Sequence, residues 1–418
     1  MAGSVYTRAD HNGYLARNGS GPQGGLSARM KIAVVLDEYL SHDGGAFTFQ
    51  AELAHAVARL ALHSQHEFVF FAPQAADASV GVEWHRYAKP RLSERVLLKL
   101  FRYWPALEAW LGWRSALEQR LRAEGIELAW FLSPRIRALG LPFIPLVLDL
   151  QHRLQPQFPE VSAKGEWHVR EAHYRRALPQ ATAIVAGTRA GQAEIQRFYG
   201  VDPARILRLP HPTPQAALEY QPAPVSELAR WGLEPGYLLY PAQLWSHKNH
   251  ANLIEALALL HQRGLRLPLV LTGADFGAAA AIRARIAQHN LQAYVKWLGF
   301  VEREALYTLY SHALALAYVS FFGPENLPPL EAFALGCPVV AARVSGAEEQ
   351  LADAALLVDP TQPAAIAAAL ERLHSDAALR QRLQQAGRQR AVAWTVDDFV
   401  RGALRFFDTY SQDQAREA

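Results

Sequence analysis

Residues Phe321–Val340 read FFGPENLPPLEAFALGCPVV. The run follows an apolar strand, Ala313–Val319. It passes through a polar Gly/Pro turn into a predicted helix, Leu327–Leu335, stopped by Gly336, and the apolar run Val339–Ala342 predicts the next strand. Pro328 and Pro329 fall in the first helical turn, where a missing N–H is tolerated. Asn326 stands where an N-cap belongs. Free N–H groups at such a start, with the helix dipole behind them, make an anion site. Glu331, one turn on, is a poor phosphate ligand but accepts hydrogen bonds from hydroxyls. The same residues also read as an ordinary capped helix with a solvated glutamate.

Strand, helix, strand is the unit of a parallel sheet, and it recurs on both sides of this segment. Lys31–Leu36 (KIAVVL), Phe68–Phe71, Glu83–Tyr87, Leu128–Phe131, Phe143–Leu148, Ala183–Ala186 and Arg205–Leu209 read as strands, with helical stretches between. The rhythm breaks over 210–236, where six prolines gather. It restarts at Tyr237–Tyr240 and runs to a last helix, Val396–Tyr410. The fold class is therefore α/β, with two domains. We divide the chain into a leader (1–29, disordered, an over-called start or a cloning remnant), an amino-terminal domain (30–215) and a linker (216–236). A carboxyl-terminal domain (237–395) and a terminal helix and tail (396–418), set to pack back on the amino-terminal domain, complete it. Parallel sheets bind ligands beyond the carboxyl ends of their strands, so the active site is expected in a cleft between the domains.

Composition narrows the function. The 418 residues carry 42 Lys plus Arg against 39 Asp plus Glu, too even a balance for a whole-chain nucleic-acid binder. A single cysteine, Cys337, rules out an internal disulfide and argues against a cysteine-based zinc site. No apolar run reaches the 18–20 residues or so of a membrane span, and no signal peptide is visible. These features fit a cytoplasmic protein.

Three further loops carry chemistry. Tyr240–Asn252 (YPAQLWSHKNHAN) places Lys248 just before a helix, a point charge suited to phosphate. Leu36–Phe47 (LDEYLSHDGGAF) runs from a strand into Gly44-Gly45, where a backbone without side chains can approach a ligand; an ordinary tight turn would look the same. It lacks the G-x-G-x-x-G fingerprint of nicotinamide enzymes. Leu146–Pro159 (LVLDLQHRLQPQFP) puts His152 just beyond a strand end.

Leu327-Pro328-Pro329-Leu330-Glu331-Ala332, Gly336-Cys337-Pro338-Val339, Gly299-Phe300, Gly346 with Glu349, and Leu357-Val358-Asp359-Pro360 together resemble the signature of retaining glycosyltransferase family 4. The likeness runs over nearly the whole chain from Met30. It implies the GT-B fold, two Rossmann-like, doubly wound domains facing across a cleft. It also implies transfer of a hexose-type sugar from a nucleotide-diphosphate sugar to a glycan or lipid-linked saccharide, with retention, in bacterial polysaccharide or lipopolysaccharide assembly. No cofactor and no metal are expected. By the same resemblance Gly44, Gly45, Gln243, Lys248, Gly323, Asn326, Leu327 and Glu331 face the donor, with Glu331 on the ribose. Lys248, His152 and Glu325 form the catalytic set. Two departures stand out. Gly323 occupies the place of the family's first glutamate, leaving Glu325 or backbone amides of the Gly323–Leu327 loop to take its part. Gln243 replaces a diphosphate-binding arginine. A nucleotide-sugar epimerase of the same architecture and a catalytically silent scaffold relative stay as alternatives.

Residues 89–122 hold eight basic side chains against three acidic ones, interleaved with Phe101, Tyr103, Trp104, Trp110 and Trp113. That mixture on a helical stretch suits an anionic membrane surface, or equally a core-facing helix with a solvated charged face. With the family's use of lipid-linked acceptors, it predicts a peripheral enzyme on the inner face of the cytoplasmic membrane.

Overall fold

The structure, a computed structural model, describes residues 29–38, 45–73, 83–87, 97, 114–134 and 138–417. Three sheets organise it, and every strand pair in them is parallel.

In the amino-terminal half, β1 (Lys31–Val35), β2 (Glu67–Pro73), β3 (Trp84–Tyr87), β4 (Leu128–Phe131) and β5 (Phe143–Ile144) form one sheet, ordered β3-β2-β1-β4-β5. A second sheet has the order β6-β7-β8, from Leu146–Val147, Ile184–Ala186 and Ile206–Arg208. The single strand expected over Phe143–Leu148 is thus divided between two sheets. Pro145 lies at the break: it has no N–H for a ladder, and its carbonyl accepts from Val185 N–H at 2.9 Å. Most of the helix expected over Arg91–Glu124 lies outside the described residues. Its end is the helix Ala116–Ala123, capped by the Ser115 hydroxyl accepting from Glu118 N–H at 3.1 Å.

The carboxyl-terminal half is one six-stranded sheet, ordered β11-β10-β9-β12-β13-β14, from Leu238–Pro241 (β9), Leu269–Thr272 (β10), Val295–Trp297 (β11), Ala315–Tyr318 (β12), Val339–Ala342 (β13) and Ala355–Val358 (β14). Strands β10, β12 and β13 are buried along their whole length, because helices cover both faces of the sheet. This is the α/β architecture of two Rossmann-like domains facing across a cleft.

The segment between the halves is structured. It holds the helix Gln215–Glu219 and the 3-10 turn Val225–Trp231, with Leu228 fully buried and the Tyr220 hydroxyl 2.8 Å from that of Thr308. The last helix, Val396–Glu417, returns to the amino-terminal half. Asp397 pairs with Arg59, Asp408 accepts from Gln65 at 2.8 Å, and the Phe407 ring meets Trp130 at 5.4 Å. No helix among the described residues is long and apolar enough to cross a membrane.

Candidate active site

A doubly wound sheet opens a crevice where its strand order reverses. In the carboxyl-terminal half that point lies between β9 and β12, and the two signature loops leave the sheet there. After β9 the chain makes the turn Ser246–Lys248. It then enters the helix His250–Gln262 through Asn249, whose φ of 61° is left-handed. Asparagine tolerates that conformation, and its amide fixes it by donating to Val319 O at 2.9 Å and Pro360 O at 2.8 Å. Lys248 is thereby aimed at β12. Its Nζ donates to the Tyr318 hydroxyl at 3.0 Å, and that hydroxyl donates to Asn326 Oδ1 at 2.9 Å. One chain of hydrogen bonds joins the two loops across the crevice.

Asn326 holds the N-cap position of the helix Leu327–Ala334, but its side chain makes no cap bond. With Pro328 and Pro329 at the second and third helical positions, no N–H waits there to be capped. The side chain binds Tyr318 instead and donates to Gly323 O at 3.2 Å. Gln350 clips the Asn326 main chain on both sides, at 2.9 Å each. Leu327 therefore supplies the single N–H of this first turn, a narrower anion site than the sequence pattern suggests. Gly323 has a φ of 104°, and a Cβ there would lie 2.5 Å from Asn326 Nδ2. The turn that positions Asn326 thus excludes a glutamate at this place.

The two acids part company. Glu331 is 8% exposed, with its Oε2 accepting from the Tyr310 hydroxyl at 3.2 Å; burial pushes its carboxyl up to about 7, against the pull of Tyr310 and Arg303. Glu325 crosses to the amino-terminal half, where Oε1 accepts from His211 N–H at 2.7 Å and the carboxylate sits over Gly187. Burial raises it to about 8. The expectation that Glu325 replaces the first glutamate on the sugar is not met in this conformation.

Gln243 does not project free in place of an arginine: its Oε1 accepts from Trp245 Nε1 at 3.0 Å. That bond fixes an indole that stacks on Phe276 with centroids 4.4 Å apart and planes 19° apart. Trp245, Phe276 and Phe300 occupy the loops after β9, β10 and β11, three neighbouring strands. Phe276 and Phe300 are 44% and 51% exposed. The loops are stitched together by Leu244 N–H to Ala274 O at 2.9 Å and Gly273 N–H to Gly299 O at 2.7 Å. Sequence reasoning missed this rim; one aromatic residue in each of three successive strand-to-helix turns was its signal.

Opposite stands the start of the helix Gly45–Ala61: a Cβ on Gly45 would lie 3.4 Å from Leu327 Cδ1, so the two helix starts oppose each other. Gly44 lies outside the described residues. At the amino-terminal crevice, between β1 and β4, Gln50 brackets the Asp37 main chain, accepting from its N–H at 2.7 Å and donating to its carbonyl at 3.1 Å. His152, expected at the sugar, is instead wholly buried within its own half. Its Nε2 is 3.3 Å from both Glu171 Oε2 and the Tyr199 hydroxyl, and burial, then the nearby Arg170 charge, drive it down to about 4. Arg153 and Arg175 share the same Glu171 carboxylate. His152 belongs to a buried network with Glu171 and Tyr199, and its Nδ1 has no hydrogen-bond partner among the described residues.

The halves meet through carboxylates on main-chain amides. Glu349 accepts from Arg189 N–H at 2.8 Å and Ala190 N–H at 3.0 Å, and Glu160 from His247 N–H at 2.9 Å. Gln155 donates to Phe321 O at 2.7 Å, and the Phe158 ring packs on Phe321 and Phe322 at 5.4 and 5.1 Å. Among the described residues no group of three or more His, Cys, Asp or Glu is placed to hold a metal ion.

Residues 229–390 match the family model of the glycosyl transferases group 1. The chain is 28% identical over 214 residues to O-antigen chain mannosyltransferase B of Escherichia coli, covering 50% of this chain and 56% of that protein. It is 30% identical over 274 residues to D-inositol 3-phosphate glycosyltransferase of Pseudarthrobacter chlorophenolicus, covering 61% of this chain and 65% of that one. The chain thus spans less than two thirds of the length of these relatives. Its fold superposes on Anabaena HepE in complex with UDP and glucose with a TM-score of 0.69, at 18% identity, over 92% of this chain and all of that one.

Proposed function

From the match of residues 229–390 to the glycosyl transferases group 1, we propose that the protein moves a hexose-type sugar from a nucleotide-diphosphate sugar to a hydroxyl of a glycan or lipid-linked saccharide, with retention at the anomeric carbon. The observation that carries this reading is the Lys248–Tyr318–Asn326 chain beside the Leu327 N–H, at the reversal point of the sheet. A cation and an amide pole, held before substrate arrives, suit a diphosphate that gains charge as it leaves. Glu331 is the ribose acceptor, and the rim of Trp245, Phe276 and Phe300 gives the nucleobase a face to stack on.

The bond from the anomeric carbon to the diphosphate oxygen breaks as the acceptor oxygen bonds to the same face of that carbon. The acceptor's proton passes to the departing phosphate, so no carboxylate nucleophile is required. The E. coli relative's O-antigen role and the resemblance to lipopolysaccharide enzymes favour a polyprenyl-diphosphate saccharide or lipid-core acceptor, met at the inner face of the cytoplasmic membrane.

The test is incubation with UDP-, GDP-, TDP- and ADP-sugars, with and without acceptor, followed by NMR of the anomeric proton. Acceptor-dependent transfer with retained configuration supports the reading. Sugar conversion without acceptor favours an epimerase, and neither activity a scaffold.

A further inference from the structure

Both ring nitrogens of His211 are shut off from solvent and have no hydrogen-bond partner among the described residues. Burial drives the ring down to about 4, so it is neutral near pH 7 and carries one donor and one acceptor. A buried imidazole with neither group paired is costly unless something else meets it. His250 shares this condition, but its ring packs on Tyr240 at 4.8 Å inside the carboxyl-terminal half. His211 stands where the halves join. Its main-chain N–H donates to Glu325 of the carboxyl-terminal half, and its ring lies 4.7 Å from Phe49. Phe49 is one turn along the helix that begins at Gly45, opposite Leu327. The chain crosses between the halves beside it twice: Trp394 Nε1 donates to Pro210 O at 2.8 Å, and Thr213 pairs with Thr395.

This placement is at the seam between the halves, about one helical turn below the point where Gly45 approaches Leu327. A sugar attached to a diphosphate at Lys248 and Leu327 would reach toward that contact, and His211 lies between the halves, its main chain bonded to Glu325 of the other half and its ring on Phe49 of its own, so their parting gives it access. Sugar hydroxyls both donate and accept, as a neutral imidazole does. A phosphate could use only the donor, and an apolar group neither. We propose that His211 is a binding residue for the transferred sugar, its imidazole hydrogen-bonding a hydroxyl of the donor hexose when the cleft holds a nucleotide sugar. The assignment rests on the glycosyltransferase reading above.

Calorimetric titration with UDP, UDP-glucose, GDP and GDP-mannose tests it on wild type, His211→Phe and His211→Asn, with a melting temperature for each. The phenylalanine variant keeps the ring's bulk and removes both nitrogens; the asparagine variant serves if that one fails to fold. The expected result is free-nucleotide affinity within about twofold of wild type, nucleotide-sugar affinity at least tenfold weaker, and a melting temperature for His211→Phe no lower than wild type. Unchanged nucleotide-sugar affinity in a folded variant overturns the assignment. So does an equal loss for nucleotide and nucleotide sugar, which marks a structural residue. A wild type that binds none of the four ligands overturns the glycosyltransferase reading, and the assignment with it.

Discussion

The carboxylate of Glu325 rests on the Cα of Gly187, in the space that any Cβ at residue 187 would take. The carboxyl-terminal half thus inserts an acid into a notch that glycine leaves at the end of β7. Gly187→Ala is expected to evict that carboxyl and break its bond to His211 N–H, costing about 1 kcal/mol. Glu325→Ala should cost a similar amount, and the double variant no more than Gly187→Ala alone, because both remove one contact. Denaturant unfolding of the four proteins measures this; additive losses would refute the notch.

Lys248→Ala should reduce turnover by roughly 30- to 1,000-fold, the equivalent of about 2–4 kcal/mol of leaving-group stabilisation, with the melting temperature unchanged. Tyr318→Phe, which removes the hydroxyl that aims the ammonium, should cost about tenfold. Wild-type turnover in the alanine variant would remove Lys248 from the site.

Glu331 gives a pH signature. Its folded carboxyl titrates at about 7 rather than 4.5, so between those values the folded chain binds a proton that the unfolded chain has released. Stability therefore falls as pH rises from about 4.5 to 7 and stays lower above. Glu331→Gln keeps an acceptor for Tyr310 and should be the more stable protein at pH 8, by on the order of 2–3 kcal/mol. The two curves should converge near pH 4. Its nucleotide affinity should fall more than that of Glu325→Ala. Parallel stability curves across this range would contradict the buried acid.

Phe276→Ser should weaken nucleotide binding by roughly tenfold or more, since stacking on an aromatic face is worth about 1–3 kcal/mol per base. The side chain is 44% exposed, so the fold should tolerate the change. Equal affinity in wild type and variant would detach the rim from the nucleotide.

For the basic, aromatic stretch 89–122, co-sedimentation with vesicles should rise with anionic lipid and fall with salt, as about 1 kcal/mol per surface lysine or arginine requires. Protein left in the supernatant at low salt would favour a soluble acceptor.

What the sequence disclosed follows from what is local. Strands β10, β12 and β13 are buried along their length and read as short apolar runs, and the loops at the reversal point carry Lys248 and Asn326 within recognisable segments. The misreadings depend on partners distant in the chain. His152, expected in a loop just beyond a strand end, lies in the helical turn Gln151–Leu154, where Glu171 and Tyr199, 19 and 47 residues away, meet its ring. Asn326 has the residue type and position of a cap, yet the prolines after it leave nothing to cap, and Tyr318 claims its oxygen. Pro145 divides a run that looks continuous. The six prolines of 210–236 mark a linker, and Leu228 and Tyr220 anchor that segment to the carboxyl-terminal half, which its own sequence does not disclose.

Across the seam, Glu160 pairs with the His247 ring at 2.9 Å, and Glu349, Glu160 and Glu325 each accept from backbone N–H groups. Every residue except proline offers that handle. The side chains of Arg189 and Ala190 are therefore free to drift without loosening the two bonds to Glu349. That part of the joint is indifferent to the side chains it joins. Acceptor preference can diverge in one half while the donor machinery of the other stays put, and chimeras that exchange whole halves between relatives should dock wherever the backbone path at the seam is kept.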